Sequence, residues 1–178
     1  MFKFNNNIPM KVRIAIITSF LLLALAFFSC TKEEDFPDIP AIEFISFTKI
    51  QNTNNIDEKG ILKIYFTDGD GNMGLADSDT MPPFDKTSIY YYNFFITYFE
   101  KQHGQFVEVA PAVTFNSRIP LLTSSSSNGA LKGEIEIEIF INNPFSIYDT
   151  IKFDAYIVDR ALQASNVIST NEIILKKH

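Results

Sequence analysis

Tryptophan is absent from this chain of 178 residues, and cysteine occurs once, at Cys30. A lone cysteine excludes a disulfide within the chain. Histidine is limited to His103 and His178, too few for the three or four His/Cys ligands that zinc takes. There is no Gly-x-Ser-x-Gly, so the commonest nucleophile turn is missing, and no glycine-rich loop leads into a helical pattern to cradle phosphate. The lack of tryptophan also removes the flat platform on which sugar clefts usually rely. Together these gaps lead us to expect no enzyme.

Basic residues are the scarce charge. The chain has 15 Lys and Arg against 21 Asp and Glu, a net charge of −6 with His neutral. Three of the basic residues, Lys3, Lys11 and Arg13, stand before residue 30, and no acid does. Without that segment the remainder carries −9. Such a surface repels polyanions, so nucleic acid is not an expected partner.

What is present at the start has the three-part order of a secretory signal. The basic residues come first, and Ile14 to Phe28 is an apolar run broken only by Thr18 and Ser19. As a helix it would be about 22 Å long, short of the ~30 Å hydrocarbon core. Ser29 then precedes Cys30. MKVRIAIITSF also reads as an ordinary start, which leaves Met10 open beside Met1 as the initiator. These residues resemble a bacterial lipoprotein signal, with Phe27 and Phe28 standing where Leu and a small residue are usual. The resemblance implies cleavage after Ser29 and lipidation of Cys30 with palmitate-type chains, giving a covalent lipid attachment to the membrane. Each buried methylene contributes roughly 0.8 kcal/mol, so several acyl chains hold firmly without a transmembrane helix. Thr31-Lys32-Glu33-Glu34-Asp35 is similar to the acidic export tag of Bacteroidota-type lipoproteins, which implies the outer membrane and its outer surface. The domains expected are a signal peptide over 1–29, the lipidated Cys and acidic tether over 30–40, and one folded domain over 41–178.

Beyond the tether the dominant pattern is alternation. Gly133-Glu134-Ile135-Glu136-Ile137-Glu138-Ile139 sets Ile on one face and Glu on the other, as a half-buried strand requires. Ile61–Phe66, Ile89–Phe99 and Ile151–Val158 are β-branched and aromatic, and Ile42–Ile50, Gln105–Val109 and Val167–Leu175 add three more candidates. Pro111, Pro120 and Pro144 fall between the runs, and Thr123 to Gly129 reads as a slack loop. Seven strands without helical crossovers predict an all-β, antiparallel β-sandwich, with a β-barrel as the alternative. Asp149-Thr150-Ile151-Lys152-Phe153, the corner at Asp159-Arg160-Ala161 and the re-entry at Ser165-Asn166-Val167 resemble immunoglobulin-like or fibronectin type III-like modules of surface lipoproteins. Leu162 and Gln163 depart from the Gly-Asn usual after such a corner.

Three groups of residues are candidates for function. Asp68-Gly69-Asp70-Gly71-Asn72-Met73-Gly74 alternates hard oxygen donors on a glycine-rich turn, chemistry that suits Ca²⁺ with its six to eight oxygen ligands. Asp68, Asp70 and Asn72 match the first three ligand positions of an EF-hand-type loop, and Asp77 or Asp79 could close the shell. Met73 occupies the place where that loop needs Gly, and the residues equally suit a plain tight turn. Tyr91 and Phe95, on an aromatic run, are candidates for ligand binding. Glu134, Glu136 and Glu138, two apart on one strand, lie at spacings compatible with glycoside hydrolysis. They faintly resemble the acidic strand of laminarinase-like glycosidases; the plain alternative is a solvent-facing strand whose charges deter edge pairing. The expected role is a non-catalytic binding or structural module of the cell envelope with a protein or glycan partner. A carbohydrate-binding accessory to glycan uptake is the alternative, and a small envelope glycoside hydrolase is the third.

Overall fold

The computed structural model describes residues 9–12, 14, 16, 18–19, 35–124 and 129–177; Cys30, most of the expected signal segment, the expected acidic tag at 31–34 and residues 125–128 lie outside them. Among the described residues no helix is long and apolar enough to cross a membrane. The residues from Asp35 onward form one compact unit.

Alternation is what builds this unit. Along β2 (Asp57–Asp68) Leu62, Ile64 and Phe66 are buried, with half-exposed residues between them. The same two-residue rhythm runs through β3 (Phe94–Gln102) and β6 (Thr150–Ile157). β1 (Ala41–Gln51) pairs with β2, and β2 with β5 (Leu131–Phe140), in one antiparallel three-stranded sheet. The second sheet runs β4 (Gln105–Glu108), β3, β6, β7 (Ile168–Ser169), with β8 (Ile173–Ile174) also on β6. Among the described residues the protein is thus an all-β sandwich of eight strands, and its sheets do not close into a barrel. The first, second and fifth strands share one sheet, and β4 stands beside β3 in the other, whereas the fourth strand of a constant-type immunoglobulin domain lies with the first and second.

Phe94 and Phe153 are the largest fully buried side chains of the core, which also holds Leu62, Ile64, Ile151 and Ile157. Burial of each such side chain contributes roughly 1.5–3 kcal/mol. Phe153 holds three further rings near it, Phe47, Tyr98 and Phe115, at centroid distances of 5.5–5.7 Å.

Two segments depart from the alternation reading. The expected strand Ile89–Phe99 begins only at Phe94, because Ser88 Oγ accepts the Tyr90 N–H at 3.0 Å and starts a 3₁₀ turn over Ile89–Tyr91. The expected strand Val167–Leu175 is split, since Thr170 Oγ1 takes the Phe153 N–H at 3.0 Å and interrupts the ladder. That division makes eight strands where seven were expected.

Candidate metal centre

β2 and β6 lie in opposite sheets, and each carries its inward parity to an acid. After Leu62, Ile64 and Phe66 the next inward residue of β2 is Asp68, fully buried at 0 % exposure. After Ile151, Phe153, Ala155 and Ile157 the next inward position beyond β6 is Asp159, at 1 %. Both carboxylates therefore arrive at the same end of the sandwich. Asp70 joins them from the loop, and one oxygen each of Asp68, Asp70 and Asp159 lies within 4.8 Å of the others.

The local chain explains this convergence. Gly71 has φ of +66°, and a Cβ there would sit 1.9 Å from the Gly129 carbonyl, so only glycine lets the loop fold back here. Met73 then plunges into the core at 0 % exposure, which is why a side chain stands where an EF-hand would have Gly. Leu75 N donates to Ile119 O and Leu122 N to Met73 O, fixing the loop against the 119–122 segment. At the far side, Asp159 Oδ1 accepts the Gln163 N–H at 2.7 Å, and Arg160 N approaches Asn72 O at 3.4 Å.

The cluster's hydrogen bonding is incomplete. Asp68 has neither carboxylate oxygen in a hydrogen bond, and Asp159 Oδ2 and Asn72 Oδ1 are likewise buried without partners. Asn72 spends its Nδ2 on Asp70 Oδ2 at 2.5 Å. Burial, followed by the negative charges of Asp70 and Asp159, pushes the Asp68 carboxyl up to about 7. The Met73 amide pulls the other way without making a hydrogen bond of normal geometry. Burial raises Asp159 as well, with the Gln163 amide partly offsetting it. Every donor in the group is a hard oxygen, suited to a calcium-type cation and not to a thiophilic one.

Of the five residues expected to ligate, Asp68, Asp70 and Asn72 are brought together, and Asp77 and Asp79 are not. Asp79 pairs with Arg160 and caps the Ala76 N–H at 2.8 Å, which turns its carboxylate outward from the cluster. Asp77 lines a cavity of about 470 Å³ with Asp79, Phe84, Lys86, Tyr91 and Arg118. Asp159 was read only as part of a corner; its parity with Ile157 was the signal that could have identified it.

Tyr91 and Phe95 do not form a shared groove. The 3₁₀ turn puts Tyr91 in the cavity with Arg118 over its ring at 5.3 Å, while Phe95 stacks on Tyr156 at 4.8 Å on the outer face of β3 and β6. Glu134 and Glu136 pair with Lys63 at 2.6 and 3.3 Å, and Glu138 pairs with Lys59 at 2.7 Å. All three glutamates are exposed on β5, an edge strand of its sheet. Compared with family models, curated proteins and solved structures, the chain matches none of them.

Proposed function

We propose that this chain is a lipid-anchored, non-catalytic module of the bacterial cell envelope, held at the outer membrane through Cys30 and presenting its sandwich on a short tether. The observation that carries this reading is the position of the lone cysteine. It directly follows the apolar run and Ser29, and only residues 31–40 separate it from β1 at Ala41. A linker of that length leaves the sandwich close to the membrane surface, with no other segment needed for attachment. The module binds or braces a protein or glycan partner.

Binding of a carbohydrate as an accessory to glycan uptake is a second reading, favoured by the cavity at Tyr91. Tyr91 and Phe84, each with an arginine over one face, line it beside Lys86 and Asp77, a mixture of apolar and polar groups that a sugar ring meets in its sites.

The reading is tested by replacing the anchor. In a bacterial host with lipoprotein processing, the parent chain is expected to incorporate a labelled fatty acid and sediment with membranes. Cys30→Ala is expected to lose the label and to remain uncleaved or become soluble. Undiminished labelling and membrane fractionation of the variant would remove Cys30 as the anchor.

A further inference from the structure

We propose that Asp68, Asp70, Asn72 and Asp159 bind one calcium ion, and that this ion locks the root of the tether to the end of the sandwich. The donor set comes from two opposed sheets and the loop between them. Asp68 can offer both oxygens, and Asp70, Asn72 Oδ1 and Asp159 Oδ2 one each, which makes five of the six to eight that calcium takes and leaves the rest to water. The acidic cluster is not the whole of the argument. Asp68 is entirely buried with both oxygens unpartnered, and a buried carboxylate in that state is costly unless a proton or a cation compensates it. Asp159, at 1 % exposure, has Oδ2 unpartnered, and its carboxylate belongs to the same cluster within 4.8 Å. Arg160, the basic residue next in the chain, is committed to Asp79 and gives no relief.

Calcium is preferred to magnesium on geometry. Magnesium demands near-octahedral ligation and keeps several of its waters, whereas a buried bidentate carboxylate among four protein side chains suits the larger, more tolerant ion. Zinc is disfavoured because the group contains no nitrogen or sulfur donor.

The consequence for the tether follows from Gly69. Its N–H donates to Pro37 O at 2.9 Å, and a Cβ on it would lie 2.1 Å from Phe36 O, so the chain emerging toward the anchor lies directly on the backbone between Asp68 and Asp70. An ion that fixes both flanking carboxylates fixes Gly69, and with it the direction in which residues 36–40 leave the domain. Asp159 adds the corner after β6 to the same clamp.

The test uses the full chain purified in detergent, with metal salts alone as probes. A cation at a hundredfold excess over Kd shifts the folding equilibrium by about a hundredfold. For a domain of this size that is a rise in Tm of roughly 5–10 °C. The rise is expected in millimolar Ca²⁺ relative to chelator, with a weaker response to Mg²⁺. Ca²⁺ is also expected to slow protease cleavage within 35–40. Asp68→Asn and Asp159→Asn are expected to abolish both effects and, in chelator, to melt no lower than the parent. Asp70→Asn changes an exposed residue and guards against a variant that merely fails to fold; it is expected to weaken calcium binding by tenfold or more in calorimetric titration. Equal melting in Ca²⁺ and chelator, an equal response to Mg²⁺, or a calcium shift retained in both Asp68→Asn and Asp159→Asn would overturn the proposal.

Discussion

Asp57 and Asp68 stand at the two ends of β2, both fully buried, and their surroundings give them opposite characters. Asp57 accepts from Lys49 Nζ at 2.6 Å, Gln51 Nε2 at 3.0 Å and the Lys176 N–H at 2.8 Å, and its own N–H returns to Lys176 O at 2.9 Å. Burial alone would raise this carboxyl; the Lys176 amide, with Lys49 and Gln51, outweighs it and holds Asp57 below its ordinary value. A carboxylate lowered in the folded state stabilises at pH above its unfolded value near 3.9, and that stability is lost as pH falls through the lowered value. Asp57→Asn is therefore expected to cost about 1–3 kcal/mol at neutral pH, from weakened acceptance of three donors. Urea unfolding from pH 7 to pH 2 checks it: the gap between parent and variant should narrow steadily below about pH 5. A gap that stays constant with pH would show that the Asp57 charge contributes nothing. None of this was legible in the sequence, where Asp57 sits in an unremarked polar stretch. Gln51 and Lys49 reach it across the β1–β2 hairpin, while Lys176 lies 119 residues away and only the closed fold brings it in.

Among the elements, polar side chains repeatedly do the work of strand backbone. Asn93 donates to Ile119 O at 3.1 Å and accepts from Ile119 N at 2.6 Å, both buried, so a side chain pairs with a segment as a strand would. Asn166 does the same to Ile42 N and O, both at 2.9 Å, joining the loop before β7 to β1 in the opposite sheet. Periodicity reveals strands that alternate, and β2, β5 and β6 were readable on that ground. It could not reveal that the tyrosine run turns under Ser88, nor that Asn side chains supply missing partners, because neither leaves a period. The loop after β2, bonded to the 119–122 segment, shows how tightly such segments are held. Gly74 has φ of +91°, and a Cβ there would lie 2.0 Å from the Pro120 carbonyl. Backbone stands in the way, so no side-chain rotation relieves the clash. Gly74→Ala is expected to destabilise by about 2 kcal/mol or more, through positive φ and displacement of the 119–122 segment together. Denaturant midpoints measure this, and a loss under about 0.5 kcal/mol would mean the loop adjusts freely.

For the molecule as a whole, the two ends of the sandwich are closed by different chemistry. At one end Asp57 fastens the start of β2 to the C-terminal segment; at the other Asp68 and Asp159 face each other beside the residues that lead back toward Cys30. The loop donors of the candidate cation site were legible as alternating Asp and Asn, while Asp159 was hidden by its distance, 91 positions beyond Asp68. Asp77 and Asp79 were near in sequence but turned to a cavity and to Arg160. The proposed anchoring through Cys30 belongs to this scale too. Its most direct measurement is the intact mass and N-terminal sequence of the protein produced in a bacterium with lipoprotein processing. The account predicts a chain that begins at Cys30 and carries fatty acyl groups on that residue. A chain that keeps residues before Cys30, or that begins there with an unmodified thiol, would contradict it.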